Sequence, residues 1–292
     1  MQTKSIQKNI ENKINEWLGT LTDEKLKKEV KQNILISGGC ITSMFLKEDI
    51  NDYDVYLQDQ DILASLAKYY TKDISGVRIF NGKEKDKLLM EIDRTDENIF
   101  AIAINNLKAD QVKLFFDVSG GMRLNEGKKI EEKMYVPLYF SPNCISLSNK
   151  IQIILRFSGD ATTIHKNYDF VHATNYYTFK DGLVTNKEAL ESLLTRQLKY
   201  QGSLYPLTSI LRMKKFIKRN WNINAGEVLK IMFQISELDL YDPNVLEDQL
   251  IGIDVAYFSR VIEILRNVKI EKITSTYLNT IIDRVFGQTD EE

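Results

Sequence analysis

Apolar residues in the first 33 positions recur with a helical period. Five of them are spaced by three or four and fall on one side of a helix: Ile6, Ile10, Ile14, Trp17 and Leu18. Leu26 and Val30 resume the period after a break at Gly19–Thr22. The pattern predicts two amphipathic helices whose apolar sides face a core.

From Asn33 onward the pattern changes to short apolar runs. Ile34–Ile36 predicts a buried strand, Ser37-Gly38-Gly39 a tight turn, Cys40–Lys47 a helix and Tyr53–Leu57 a second strand. A strand therefore leads through a glycine turn into a helix, and a second strand follows at once.

The rest of the chain divides into a strand-rich part and a helical part. After a helix at Asp61–Tyr70, strands are predicted at Val77–Phe80, Leu88–Ile92, Ile99–Ile104, Val112–Val118, Tyr135–Phe140, Ile145–Leu147 and Ile151–Phe157. Helical periods then occupy Asn186–Tyr200, Leu207–Trp221, Ala225–Leu238, Val245–Ile251, Val255–Val268 and Thr276–Phe286. This order predicts an α+β domain followed by an all-helical C-terminal domain, with the boundary in Asp181–Lys187.

The composition is that of a folded globular protein. Hydrophobic residues make up 43% and charged residues 27% of the 292 residues, far from the apolar-poor balance of disordered chains. Apolar runs such as Ile99–Ile104 are too short to span a membrane, and Met1–Lys13 is too polar for a signal peptide. We therefore expect a cytoplasmic protein without a membrane partner. Its two cysteines, Cys40 and Cys144, can form neither a disulfide framework nor a cysteine zinc site.

Charge is distributed unevenly, although the formal net charge is only −2. Residues 196–230 contain eight basic residues and one acidic residue, a net charge of +7 that leaves −9 for the remainder. Such a segment is either a solvated helix face or a surface that contacts phosphates.

The segment Ile34–Leu57 combines two features that suit phosphates and cations. Gly38 and Gly39 lack a β-carbon, so a triphosphate can approach the backbone N–H groups at the positive end of the following helix. Asp52 and Asp54 are two apart at the start of a strand, which directs both carboxylates to one side. Proteins usually hold Mg²⁺ by one or two carboxylates together with substrate phosphates. The order and spacing predict a site for a magnesium-bound nucleoside triphosphate.

This segment, ILISGGCITSMFLKEDINDYDVYL, resembles the signature of the polymerase-β nucleotidyltransferase superfamily, and most of all its tRNA CCA-adding and bacterial poly(A) polymerase class. The signature there is Gly-Gly-x-Val-Arg-Asp, a short helix and Asp-x-Asp, and Thr42-Ser43 stand here in place of Arg-Asp. A second block, Tyr168–Tyr177 followed by Asp181-Gly182, is similar to the class's Arg-Asp-Phe-Thr-Ile-Asn-Ala-Leu block. A third, Pro206 to Phe216, is similar to its neck helix.

The resemblance implies a metal-dependent, template-independent nucleotidyltransferase that acts in tRNA processing. It would add a nucleoside monophosphate from a nucleoside triphosphate to an RNA 3′ hydroxyl and release pyrophosphate. Asp52 and Asp54 would be catalytic and hold two Mg²⁺ ions. The nucleotide-binding residues that it implies are Ser37, Gly38, Gly39, Asp169, Arg212 and Lys215. Arg212, Lys215 and Arg219 would share one face of the neck helix and contact phosphates.

The superfamily usually supplies a third carboxylate from a neighbouring strand, and three positions are open for it. Glu91 and Asp117 both lie in predicted strands, whereas Gln152 in the last strand offers an amide instead of an acid. His165 and His172, without cysteines or a metal-binding spacing, are expected to be structural or to contact substrate.

The resemblance also implies domain limits. Residues 1–33 would form N-terminal helices, 34–183 the nucleotidyltransferase domain with an insertion at 95–149, and 184–292 a helical neck and body. Two alternatives stand beside the RNA acceptor. One is the same chemistry on a small molecule or a protein, and the other is a catalytically degenerate fold that serves as a binding or assembly module.

Overall fold

The computed structural model describes residues 3–85, 108–116, 121–125, 127, 130–249, 264–265, 268 and 274–286. The chain forms two compact units, Met1–Lys166 with His172–Leu193, and Asn167–Val171 with Leu194–Glu292. The architecture is α+β, with a mixed sheet early in the chain and helices late, as the sequence predicts. Within the described ranges, no helix has the length and apolar character needed to cross a lipid bilayer.

In the described part of the first unit the predicted helices and strands occur in order, together with one short helix and three strands that the sequence analysis does not predict. The described helices are α1 (Thr3–Leu18), α2 (Glu24–Asn33), α3 (Gly39–Leu46), α4 (Gln60–Thr71), α5 (Ala161–His165) and α6 (Lys187–Thr195). The described strands are β1 (Ile34–Ser37), β2 (Tyr53–Leu57), β3 (Val77–Asn81), β4 (Val112–Phe116), β5 (Met122–Arg123), β6 (Pro137–Ser141), β7 (Cys144–Leu147), β8 (Ile151–Ser158), β9 (Tyr176–Thr178) and β10 (Gly182–Val184). The strands predicted at Leu88–Ile92 and Ile99–Ile104 lie outside the described residues.

Eight of these strands form one mixed sheet in the order β10-β9-β1-β2-β8-β7-β6-β5. Its neighbours are antiparallel except for β2 and β8, which run parallel. Strands β3 and β4 pair with each other in a separate two-stranded antiparallel sheet. The segment that precedes β8 therefore adds β7, β6 and β5 to one side of the sheet.

One face of the sheet carries the core of the first unit. Residues that lie opposite one another across the strands form an apolar line on that face: Tyr177, Ile36, Val55, Ile153, Ile145 and Phe140. All six are fully buried and cluster with residues of α1, α2 and α4. Because side chains alternate along a strand, the neighbours of these residues occupy the other face.

The second unit is mainly helical. Its described elements are the strands β11 (Gln197–Leu198) and β12 (Asn222–Ile223) and the helices α7 (Pro206–Ile217), α8 (Ala225–Ser236), α9 (Pro243–Gln249) and α10 (Ser275–Phe286). Four aromatic side chains join its parts through edge-to-face contacts, in the order Tyr200, Phe170, Phe216 and Trp221. Most of the helix predicted at Val255–Val268 lies outside the described residues.

Two predicted helices of this region are too long. The helix expected at Asn186–Tyr200 ends at Thr195, because Arg196 has a φ of 51° and the next two residues pair in parallel with β12. The helix expected at Leu207–Trp221 ends at Ile217, shortly before Asn220 with its φ of 61°. Both helices end because a residue that follows them has a left-handed backbone conformation. The spacing of apolar residues does not indicate where such a residue lies, so the predicted helices are too long.

A buried hydrogen bond joins α1 to α4 and gives a test of this packing. The indole Nε1–H of Trp17 donates to the Tyr70 hydroxyl at 2.8 Å, and both side chains are buried. We predict that Tyr70→Phe lowers the free energy of unfolding by about 1–3 kcal/mol, because it leaves a buried donor without its acceptor. Urea unfolding measures this change.

Tyr69→Phe is the matched control. In the wild type the Tyr69 hydroxyl accepts a hydrogen bond from the exposed backbone N–H of Thr22 at 3.2 Å. In the variant, water can accept a hydrogen bond from that N–H instead. Its effect should stay within about 0.5 kcal/mol. Equal losses in the two variants would contradict the role given to the Trp17–Tyr70 bond.

Candidate active site

A line of polar residues crosses the sheet on the face opposite the core. Ser37, the last residue of β1, lies directly across from Asp54 in β2, and Asp54 lies across from Gln152 in β8. Ser37 is buried, whereas Asp54 and Gln152 are half-buried. Asp52 lies two residues before Asp54, just outside the strand, and is exposed. The sheet therefore places one aspartate of the predicted pair beside the residue at which the glycine turn begins.

The two glycines of the turn, Gly38 and Gly39, differ in backbone conformation and in exposure. Gly38 caps the N-terminus of α3 with φ 89° and ψ −148°, and its N–H donates to the Ala173 carbonyl at 3.2 Å. Only glycine adopts this conformation readily. Gly39 begins the helix and is exposed, and a β-carbon on it would meet no heavy atom of the described residues within 4 Å. The positive end of α3 thus opens onto free space beside Gly39.

Both cysteines lie near Asp54. Burial raises the pKa of the Cys40 thiol, and the nearby Asp54 carboxylate raises it further. The pKa of Cys144 is raised by burial, with a smaller contribution from the same carboxylate. Both thiols are free within the described structure, and their raised pKa values keep them protonated at neutral pH. Two protonated thiols therefore lie near the Asp54 carboxylate.

His165 and Ser37 form a structural pair. The two side chains meet at 2.8 Å between Nε2 and Oγ, and the Ser37 hydroxyl also donates to the Asn175 carbonyl at 2.9 Å. Since the one hydroxyl proton of Ser37 goes to that carbonyl, His165 Nε2 carries the hydrogen that it donates to Ser37 Oγ, as in the neutral Nε2–H tautomer. Burial lowers the pKa of His165 to about 4, in keeping with a neutral ring. Ser37 is fully buried, so the pair anchors the turn and does not form a nucleophile.

The segment 172–175 lines the other side of the turn. The Thr42 hydroxyl donates to the His172 carbonyl at 3.1 Å, and Thr42 and Ser43 are both buried. Thr42, at the position of the arginine in the resembled signature, therefore holds α3 against this segment. The Asn175 side chain accepts the backbone N–H of Asn186 at 2.9 Å, which fixes the segment in turn.

The second sequence block is divided between the two units. Its latter part supplies His172 to Tyr177 to the first unit, whereas Asp169 belongs to the second. The Asp169 carboxylate is buried and accepts hydrogen bonds from the Ser203 hydroxyl at 2.8 Å and from the Arg212 guanidinium at 2.5 Å. Asp169 thus organises the second unit and fixes Arg212, whose side chain remains 40% exposed.

The basic segment serves partly as internal structure. The Arg196 guanidinium donates to the Arg219 carbonyl at 2.9 Å, and Lys230 pairs with Glu227 at 2.9 Å. Lys215 is exposed on α7. The expected single face of Arg212, Lys215 and Arg219 is wrong for Arg219, because α7 ends at Ile217.

The donor set at Asp54 agrees with a magnesium site that is completed by substrate. Among the described residues, no three His, Cys, Asp or Glu side chains are grouped so that they could hold a metal. One or two carboxylates suffice to hold Mg²⁺ when substrate phosphates supply further ligands. Glu91 and Asp117 lie outside the described residues. Gln152 takes the position across from Asp54, where its amide donates to Cys144 Sγ at 3.4 Å and to Ser146 Oγ at 3.5 Å.

The mixed sheet and its helices define an α+β protein. Its glycine turn and its aspartate pair lie at the same end of the paired strands β1 and β2. The chain belongs to the Gabija anti-defense 2 family, whose model matches residues 8–196. A curated relative, Gabija anti-defense 2 of Bacillus phage SPbetaL7, is 22% identical over 256 residues. That match covers 86% of this chain and 49% of the relative, so the chain spans about half the relative's length.

The fold is distantly similar to solved structures of RNA-processing enzymes. One is the Thermotoga maritima CCA-adding enzyme complexed with tRNA, with 12% identity, a TM-score of 0.39, and coverage of 94% of this chain and 60% of that one. Another is a CCA-adding enzyme with CTP, with 15% identity, a TM-score of 0.38, and coverage of 95% and 62%. A tRNA-processing enzyme with CTP has 14% identity, a TM-score of 0.39, and coverage of 83% and 54%.

The buried histidine predicts a dependence of stability on pH. The unfolded chain protonates His165 near pH 6.5, whereas the folded protein does so only at about pH 4. As the pH falls through this window, the unfolded state gains protons first, so the free energy of unfolding falls by on the order of 2 kcal/mol after allowance for partial exposure.

Urea unfolding between pH 7 and pH 4 of the wild type and of His165→Gln tests this. Glutamine keeps a donor for Ser37 but does not titrate, and the carboxylates titrate alike in both proteins. The variant should therefore lose less stability on acidification. Identical pH dependence in the two proteins would disprove the assignment of a neutral, buried His165.

Proposed function

We propose that this protein is a metal-dependent nucleotidyltransferase that transfers a nucleoside monophosphate from a nucleoside triphosphate to the 3′ hydroxyl of an RNA. The observation that carries the proposal is the pairing of Asp54 with Ser37, immediately before the glycine turn that opens α3. It places a carboxylate next to a helix N-terminus that has room for phosphates. These are the two kinds of group that a magnesium-bound triphosphate requires.

In the proposed reaction, different residues of the chain would bind the triphosphate, hold the cation and position the glycine turn. The N–H groups at the start of α3 would receive the triphosphate beside Gly39, which itself has no side chain and whose surroundings are open among the described residues. Asp52 and Asp54 would hold the cation. When bound, the cation would act as a Lewis acid toward the α-phosphate and the acceptor hydroxyl. In the reaction the acceptor oxygen forms a bond to the α-phosphorus as the bond to the pyrophosphate oxygen breaks. Ser37 and His165 would keep the turn in position.

The family name leaves the acceptor to be tested. It describes the curated relative as an agent against Gabija defence. Transfer of a nucleotide to a protein or to a small molecule would suit such a role as well as transfer to an RNA. The decisive experiment incubates the protein with each labelled nucleoside triphosphate, Mg²⁺, and total RNA or cell extract. Label that ribonuclease releases supports the RNA acceptor, and label that protease releases supports a protein acceptor. The absence of label from every fraction would support a binding module instead.

The aspartate pair gives the first test of the mechanism. We predict that Asp52→Asn and Asp54→Asn each lower the transfer rate by at least about 100-fold, because each removes a charge that binds metal while keeping the side-chain volume. Asp73→Asn, in an exposed turn after α4, is the matched control and should keep the wild-type rate. Wild-type transfer by both site variants, measured with Mg²⁺, would show that the site lies elsewhere.

Gly39 gives a test of the triphosphate position. Within the part of the chain that the structure describes, a β-carbon at Gly39 has no neighbour within 4 Å, so Gly39→Ala and Gly39→Val should leave stability nearly unchanged. If phosphates approach here, both variants should weaken the binding of a nonhydrolysable nucleoside triphosphate, by about tenfold or more for valine. Isothermal titration calorimetry with Mg²⁺ measures the affinity. Gly38 is unsuitable for this test, because its positive φ would add strain of about 1–3 kcal/mol.

Unchanged nucleotide affinity in a folded Gly39→Val variant would place the triphosphate away from α3.

A further inference from the structure

The polar line at Asp54 continues across the strands that the segment before β8 adds to the sheet. Gln152 lies across from Ser146 in β7, Ser146 across from Tyr139 in β6, and Tyr139 across from Arg123 in β5. Residues that are paired in this way share one face of the sheet. We name the line from Asp54 through Gln152, Ser146 and Tyr139 to Arg123 the polar row.

The polar row faces away from the core of the first unit. Ile153, Ile145 and Phe140, each next in sequence to a member of the row, are fully buried on the opposite face. Gln152, Ser146 and Tyr139 are half-buried, and Arg123 is exposed. The three added strands thus extend the face that carries Asp54 without adding apolar side chains to this line.

The local backbone gives the tyrosine a defined place in the row. Gly121, just before β5, has a φ of 102°, and a β-carbon there would lie 2.8 Å from the Tyr139 hydroxyl and 2.5 Å from the Phe140 carbonyl. A glycine is required for this close approach. The aromatic side chain is therefore packed along the edge of the sheet.

The length of the row distinguishes between kinds of acceptor. Neighbouring strands are about 4.8 Å apart, so Arg123, four strands from Asp54, lies about 19 Å away. A small molecule whose hydroxyl reacts at Asp54 would not reach Arg123. A single strand of nucleic acid would, and it carries sugar hydroxyls, flat bases and phosphates in succession.

The order of side chains along the row matches such a strand. Amide and hydroxyl groups nearest Asp54 can hydrogen-bond sugars and base edges. The ring of Tyr139 offers a surface on which a base can stack, and the Arg123 guanidinium suits a backbone phosphate. We propose that the polar row binds the single-stranded 3′ end of the acceptor, with the terminal hydroxyl at Asp54 and a phosphate at Arg123. This inference rests on the proposed nucleotidyl transfer and names the surface that receives its substrate.

The test measures binding of fluorescent single-stranded RNA by anisotropy, without nucleoside triphosphate so that no turnover occurs. An RNA dinucleotide is too short to span the row, and an octanucleotide is long enough even when stacked. We expect Arg123→Gln to weaken octanucleotide binding about tenfold and to reduce its log–log salt dependence by about 0.7, with little effect on the dinucleotide. Tyr139→Ala should weaken octanucleotide binding and Tyr139→Phe should not, because phenylalanine keeps the stacking surface.

Lys28→Gln is the matched control for charge. Lys28 is exposed on α2, whose Leu26 and Val30 pack into the core on the opposite side of the sheet. It should leave RNA affinity and salt dependence unchanged. An equal loss in Lys28→Gln and Arg123→Gln, or an equal effect of Arg123→Gln on both RNA lengths, would overturn the assignment to the polar row.

Nucleotide affinity separates this inference from the proposed function. Calorimetry with a nucleoside triphosphate and Mg²⁺ should give the same affinity for the wild type and Arg123→Gln. A wild type that binds nucleotide but no RNA would overturn the polar row as an acceptor surface and leave the nucleotide site standing. A wild type that binds neither would overturn both.

Discussion

The register of the central strands β1, β2 and β8 is the constraint on which the rest of the first unit depends. Their apolar residues, Ile36, Val55 and Ile153, lie side by side and are buried against the helices. Because side chains alternate along a strand, this burial forces Ser37 and Asp54 onto the opposite face. A slip of one residue would bury the aspartate and expose the core, so hydrophobic packing itself holds the site in alignment.

The glycine turn is fixed by hydrogen bonds that come from a distant part of the sequence. Ala173 and Asn175 supply carbonyl groups to the Gly38 N–H and the Ser37 hydroxyl, and His165 supports Ser37 from the end of α5. Every such bond engages a group that would otherwise be buried without a partner. The free space beside Gly39 is therefore bounded by a rigid turn, which is what a preorganised phosphate site requires.

The second unit shows how part of a run of positive charge can be structural. Asp169 is buried, and a buried carboxylate is stable only when it is paired and hydrogen-bonded. Arg212 and Ser203 supply that pairing, while Arg196 satisfies a carbonyl where a helix has ended. The exposed positive charge of the segment comes instead from residues such as Lys215, whose side chain is exposed on α7.

The sequence by itself determined the local elements and the types of residue at the site. The helical period of Ile6–Leu18, the short apolar run of Tyr53–Leu57, the glycine turn and the aspartate pair are all patterns within a few neighbouring positions, so they can be recognised from the sequence alone. Which strand lies beside which is a different matter, since it depends on contacts between residues far apart in the chain. Only the tertiary structure placed Gln152 across from Asp54, His165 against Ser37, Arg212 on Asp169, and Arg123 at the end of the polar row, because packing selects these neighbours and periodicity does not encode them.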